Sequence, residues 1–345
     1  MECKRCTVIP ETSVEASWVY IKLPTHHHIA PLEKIASGMK ETLEPKANGF
    51  LLKISDFQEF VLRLCRHYFN SIEQMDIYLM PMKEAVISFE SLDCYKRLSY
   101  WKNLFLGEDL IYILKEKSLK ILFHPIVLAK DHKIYGYEAL TRGIKRDGRI
   151  MSPIEMFRYA KEMDLLFHLD RLCREQVIKQ AAEAGILEKV FINFIPTSIY
   201  DPDKCLRSTD EAIHRYGLKA EQIVFEVVET ERIDDYDHLN YILDYYKDKG
   251  YATALDDVGS GYASTGALLR LNPSYMKIDM GIIRGIHENK QNQRILNEYL
   301  SIAREKNIYI LAEGVETKEE IDYLTEAKVD FLQGYYFGKP SHKPL

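Results

Sequence analysis

The 345-residue chain predicts an α/β fold: a TIM-like (β/α)8 barrel with an antiparallel first strand, preceded by a small α+β domain. Three observations predict it. From Ile121 onward, short apolar runs alternate with amphipathic helical patterns over about 225 residues, the size of a closed barrel. Only AKDHK (129–133) separates the first two runs, too little for a helical crossover, so these two should form an antiparallel hairpin. The first 120 or so residues carry a different, mixed pattern. An open doubly wound sheet is the alternative, because periodicity alone does not distinguish closure from a free edge.

In chain order, WVYIKL (18–23), GFLLKI (49–54), MDIYLM (75–80) and AVISFE (85–90) read as strands. Phe57, Phe60, Val61, Leu64, Tyr68 and Phe69 line one helical face between them. Residues 92–117 read as a helical linker broken near Gly107, whose aromatics serve as a packing seam or a dimer contact. The expected domains are therefore 1–115, regulatory or dimerising, and 116–345, the barrel. The barrel strands are ILFHPIVL (121–128), IYGYEALTR (134–142), VFINFI (190–195), IVFEVV (223–228), ATALDDV (252–258), YMKIDM (275–280), IYILAEGV (308–315) and FLQGYYF (331–337). Helix starts are signalled by Ser152-Pro153 with Glu155, and by Thr317 with Glu320. Leu239, Ile242, Leu243 and Tyr246 form a stripe that Gly250 terminates.

Composition narrows the function classes. With 46% hydrophobic residues, and no apolar run near the roughly 20 residues of a membrane span, no membrane association is expected. MECKRCTVIPE lacks the apolar core and cleavage site of a secretory signal, and the six cysteines are scattered, which implies a reduced, cytoplasmic setting. Cys3 and Cys6 with His26, His27 and His28 form a weak zinc pattern, since no second cysteine pair follows at a familiar spacing. A net charge of −6 without a concentrated basic face argues against duplex nucleic acid.

Nearly every barrel run carries a polar residue towards its carboxyl end: Glu138, Asn193, Glu226, Asp256 with Asp257, Lys277, Glu313 and Gln333. Any one of them alone reads as a hydrogen-bonded buried group. Repeated from strand to strand, at the end of a barrel where active sites are built, they read as a site. Five carboxylates meeting there would repel one another unless cations shared the space. The donors are hard oxygens without histidine or cysteine, which favours Mg²⁺ or Mn²⁺ over Zn²⁺. Adjacent Asp256 and Asp257 point to opposite sides of a regular strand, but at its end both reach a pair of ions, as in two-metal phosphoester hydrolysis. From the barrel alone, Lys277 also allows an aldolase-like Schiff base.

The carboxyl-terminal region resembles the EAL domain, the cyclic di-GMP phosphodiesterase family, through Glu138-Ala139-Leu140, HPIV (124–127), INF (192–194), FEVVET (225–230), LDDVGSGYAS (255–264), KID (277–279), AEGVE (312–316) and QGYYFGKP (333–340). The resemblance implies cyclic di-GMP as substrate, linear pGpG as product and two ions per site, Mg²⁺ or Mn²⁺. It implies Glu138, Asn193, Glu226 and Asp256 as ligands of one ion, and Asp256, Asp257 and Glu313 as ligands of the other. Lys277 is implied near the attacking water, with Glu138 and Glu313 completing the catalytic set. Leu140, Arg142 and Gln333 are implied at the substrate, and Glu229 as support of the loop 256–264. His124 replaces the family's glutamine at the substrate and is expected to titrate near working pH. The resemblance also leaves open a catalytically weak cyclic di-GMP receptor. A homodimer is the expected assembly.

Overall fold

The computed structural model describes residues 8–199, 201–227, 236–259 and 271–345. The chain divides into two compact units, Met1–Ser118 with Lys145–Leu166, and Leu119–Ile144 with Phe167–Leu345.

The first unit carries an antiparallel sheet ordered β2-β3-β1-β4-β5, from β1 (Trp18–Lys22), β2 (Glu44–Lys46), β3 (Gly49–Lys53), β4 (Tyr78–Met82) and β5 (Lys96–Arg97). Side chains alternate across β1. Tyr20 packs with Leu51, Met80 and Met82, whereas Val19 and Ile21 are buried on the opposite face. Between β1 and β4 lie α1 (Ile29–Gly38) and α2 (Phe57–His67). Asp56 caps α2 by accepting from the Glu59 amide (2.9 Å), and Phe57, Phe60, Val61 and Leu64 form its buried stripe.

One expectation is corrected in this unit. Residues 85–90 form no strand: the Ser88 and Ser91 hydroxyls each accept from the other's amide, a local bonding that competes with a ladder, and Phe89 is 92% exposed. From Leu98 the segment 92–117 is helical and broken at Gly107, as its sequence reads. It forms α3 (Leu98–Leu106) and α4 (Glu108–Glu116), split at Gly107, and Trp101 is buried edge-on against Phe57 with its indole N–H on the Leu79 carbonyl. α5 (Pro153–Glu162) starts at Ser152, which accepts from the Glu155 amide, with proline at the first turn as the sequence signals.

The second unit is a closed eight-stranded barrel: β6 (Leu119–Leu128), β7 (Ile134–Ile144), β9 (Lys189–Phe194), β10 (Ile223–Val227), β11 (Ala252–Val258), β12 (Tyr275–Ile278), β13 (Tyr309–Ala312) and β14 (Phe331–Gln333), whereas the two-residue β8 (Ile150–Met151) belongs to the first unit by sequence. β6 is antiparallel to both neighbours, and the β6–β7 ladder closes the ring. The remaining pairs are parallel. Helices alternate with these strands, among them α6 (Leu166–Glu183), α7 (Arg207–Tyr216), α8 (Tyr236–Asp248), α9 (Lys290–Lys306) and α10 (Lys318–Glu326). Leu239, Ile242, Leu243 and Tyr246 are the buried face of α8, as its stripe requires. Inside the barrel an apolar layer of Ile126, Phe191, Val224, Ala254, Tyr275, Leu311 and Phe331 fills the lumen. No helix among the described residues is long and apolar enough to cross a membrane.

Candidate active site

The site follows from the apolar layer by the two-residue period of a strand. Counting two positions on from Phe191, Val224, Ala254, Tyr275, Leu311 and Phe331 gives Asn193, Glu226, Asp256, Lys277, Glu313 and Gln333. On the antiparallel β6 the count runs backwards, from Ile126 to His124. These side chains therefore form a polar layer about 6.6 Å, two strand rises, beyond the plug. Glu138 on β7 lies directly opposite His124, and Asn193 directly opposite Glu226.

At the centre is Lys277, fully buried, with its ammonium 2.8 Å from Asp256 Oδ1, 2.8 Å from Glu313 Oε1, 3.0 Å from Glu226 Oε1 and 3.6 Å from Glu138 Oε1. Burial opposes its charge, but these four carboxylates outweigh burial and hold it well above the ordinary lysine range. Such an amine stays an ammonium, which removes the basis of the Schiff-base alternative.

Asp256 and Asp257 share the mouth because β11 bulges. Its register against β12 slips between Leu255 and Val258, and Asp257 adopts a left-handed backbone with φ of 53°, its amide donating to Asp256 Oδ1 at 3.0 Å. Two groups of carboxylate oxygens result, each mutually within 4.8 Å: Glu138, Glu226 and Asp256, then Asp256, Asp257 and Glu313. Asp256 belongs to both. The Asn193 amide hydrogen-bonds Glu138 beside the first group.

The electrostatics are those of a site short of positive charge. Burial, with Glu138 and Asp256 adding to it, pushes Glu226 well above the carboxylate range despite Lys277, and neither Glu226 oxygen has an aligned hydrogen-bond donor even though Lys277 is close. Glu313 is pushed up to about 8, chiefly by burial, and Asp257 to about 6 by burial and then Asp256. Glu138 alone goes down. The upward push of burial is outweighed there by Lys277 and by a hydrogen bond from Gln333. Buried oxygen donors in excess of cations, with an unsatisfied carboxylate among them, fit hard divalent ions.

Gln333 bridges two site residues, its amide nitrogen 2.8 Å from Glu138 Oε2 and 2.9 Å from His124 Nδ1. Burial lowers the His124 pKa, Glu138 opposes and Lys277 assists. Leu140 and Arg142 share the Glu138 face of β7 by strand alternation. Arg142 forms no ion pair among the described residues, and its guanidinium donates to the Thr141 carbonyl at 2.8 Å. Glu229, most of the loop 256–264, Cys3 and Cys6 lie outside the described residues. His28, of the possible zinc set, has Nε2 3.4 Å from Glu73.

Sequence reasoning missed Tyr335, whose half-exposed ring stands 6.0 Å from His124, and Glu320, which accepts from the amides of Gly285, Glu316 and Thr317 and so ties the chain beyond β12 to the start of α10. The capping pattern of Glu320 was visible, but not its reach to Gly285.

Comparison with known proteins agrees with this geometry. The EAL domain family matches residues 108–340. The probable cyclic di-GMP phosphodiesterase PdeG of Escherichia coli K12 is 34% identical over 225 residues, 63% of this chain and 44% of PdeG. The bifunctional diguanylate cyclase/cyclic di-GMP phosphodiesterase MucR of Pseudomonas aeruginosa is 28% identical over 244 residues, 69% of this chain and 35% of MucR. The chain thus spans less than half the length of these two relatives. Among solved structures, the standalone versatile EAL protein of Vibrio cholerae O395 in its c-di-GMP bound form is 39% identical, with a TM-score of 0.59 over 65% of this chain and 92% of that one. A carboxylate-ringed lysine at the mouth of a barrel with an antiparallel first strand, and a family match across most of the chain, lead to one conclusion: the chain belongs to the EAL domain family.

Proposed function

We propose that the protein hydrolyses one phosphodiester bond of cyclic di-GMP to give linear pGpG, using two ions, Mg²⁺ or Mn²⁺. The observation that carries this reading is the pair of carboxylate groups that share Asp256 around Lys277. The relatives named for this activity support it. Glu138, Asn193, Glu226 and Asp256 would hold one ion, and Asp256, Asp257 and Glu313 the other. Bound there, the ions supply Lewis-acid activation of water and neutralise charge on the phosphodiester.

The remaining chemistry belongs to the chain. The Lys277 ammonium orients the attacking water and stabilises negative charge developing at phosphorus. Glu313 would take the proton that the water gives up as its oxygen bonds to phosphorus, while the phosphorus–oxygen ester bond breaks and the departing ribose oxygen takes a proton from solvent. Gln333 fixes the carboxylate of Glu138 and, with His124, orients the substrate, while Arg142 offers a guanidinium to a phosphate oxygen and Leu140 an apolar edge to the base.

Chromatography of cyclic di-GMP incubated with the protein tests the reading. Linear pGpG should appear with Mg²⁺ or Mn²⁺ and not with EDTA, and Ca²⁺ should permit binding without turnover because its larger, looser shell misplaces the nucleophile. Asp256→Asn should cost more than about 100-fold, since even outer partners of metal ligands cost 10–100-fold. Tight binding with no turnover under any metal would instead identify a receptor. Full activity in EDTA would end the metal-dependent reading.

A further inference from the structure

We infer that Asp170, which takes no part in the reaction, is a positioning residue for Asn193 and the turn that follows it; this rests on the proposed role of Asn193 as a metal ligand. Asp170 and Arg174 stand one helical turn apart on α6, both buried within an otherwise apolar stripe of Leu169, Cys173 and Val177. Asp170 Oδ1 accepts from the Ile195 backbone amide at 3.0 Å, and Oδ2 lies 3.1 Å from the Ser198 hydroxyl and in direct contact with Arg174 Nη1. The Ser198 hydroxyl is also 2.8 Å from the Ile195 carbonyl, and Arg174 Nε donates to Thr209 on α7 at 3.1 Å.

Ion pairs buried this completely add little net stability, because desolvating two charges consumes most of their attraction. What this one contributes is a direction for the chain. β9 ends at Phe194, and the next amide, no longer held by the ladder, is taken by Asp170. Asn193 is therefore fixed from two sides: the β10 ladder pairs it with Glu226, and Asp170 anchors the backbone two residues further on. Without that anchor the Ile195 amide and the turn to Ser198 lose their buried acceptor, and the Asn193 amide is free to rotate away from Glu138. Thr209 touches only the far end of the network, so it separates general loosening from loss of aim.

The test is direct titration of the full chain with Mn²⁺, read by calorimetry and by the electron paramagnetic resonance of free Mn²⁺, beside melting temperature and kcat at saturating Mn²⁺. Asp170→Asn should weaken Mn²⁺ binding about tenfold, with much of kcat restored at saturation. Ser198→Ala should shift binding the same way by less, and Thr209→Val should lower the melting temperature with Mn²⁺ affinity unchanged. Wild-type affinity in Asp170→Asn overturns the inference, and so does an equal loss of affinity in Thr209→Val at matched destabilisation. If Asp170→Asn fails to fold, Ser198→Ala decides, and an unchanged affinity there rejects the role. A wild-type protein that binds no Mn²⁺ refutes the metal reading itself and the inference with it, and that result is distinct because it appears before any substitution.

Discussion

At the scale of single residues, the site makes a titration prediction that needs no substrate. Glu313, at about 8, and Asp257, at about 6, both sit above their ordinary values of 4.5 and 3.8. Between those limits the folded metal-free protein binds more protons than the unfolded chain, so its stability falls as pH rises. The loss starts near the ordinary values and continues through the ionisation of Asp257 and Glu313, and Glu226, held well above the carboxylate range, adds to it in the same direction. Glu138 is lowered and acts the other way, but only under more acidic conditions, and Lys277 stays charged throughout. In EDTA the melting temperature should therefore fall between about pH 5 and about pH 8, and stabilisation by added Mg²⁺ or Mn²⁺ should grow over the same interval. Differential scanning fluorimetry at several pH values checks this. A metal-free melting temperature that rises towards pH 8 would contradict the burial-driven shifts. His124 gives a companion expectation: because burial lowers its pKa, His124→Gln should leave the neutral pH profile of KM unchanged.

At the scale of elements, the bulge in β11 explains how consecutive aspartates serve one mouth, and it constrains substitution. Asp257 has a left-handed φ of 53°, a conformation asparagine tolerates and valine does not. Asp257→Asn should therefore leave stability in urea nearly unchanged, whereas Asp257→Val should lose about 1–2 kcal/mol more through the backbone alone. Equal stability of the two variants would place the strain elsewhere. The sequence revealed Asn193, Glu226, Asp256, Lys277, Glu313 and Gln333 as polar residues towards the ends of barrel runs; that each follows the apolar plug by one strand period, and so shares one layer, became visible only with the plug itself. It also revealed the β6–β7 hairpin, because five residues leave room for nothing else. The bulge left no signal, since Leu255-Asp256-Asp257-Val258 reads equally well as a regular strand end. The missing strand at 85–90 illustrates the converse: apolar alternation was present, but bonding between Ser88 and Ser91 decided the backbone. Asp170 was equally hidden, as a carboxylate in a helix is ordinarily a solvated one.

At the scale of the whole chain, the two compact units are not two consecutive lengths of sequence. The segment Lys145–Leu166, which follows β7, belongs with Met1–Ser118 rather than with the barrel strands on either side of it. Its packing is close. A Cβ placed on Gly107, between α3 and α4, would come within 2.9 Å of Met163 and 3.2 Å of Tyr159, and Lys145 pairs with Asp109 of α4 at 3.3 Å. Met156 and Ala160 on α5 are fully buried in this arrangement. A cut at the sequence-based boundary of residue 116 would keep α5 but remove both helices it packs on, exposing side chains the size of Met156 whose burial is worth about 1.5–3 kcal/mol each. The fragment 98–345 keeps α3 and α4, and the family match, which begins at residue 108, includes α4. Fragment 116–345 should therefore melt lower and yield less soluble protein than fragment 98–345, and any turnover it loses should return in the longer fragment. Light scattering, melting curves and the cyclic di-GMP assay on the two fragments decide it. If 116–345 melts as high as 98–345 and turns over equally, α5 needs neither helix, and the boundary at residue 116 is the real one.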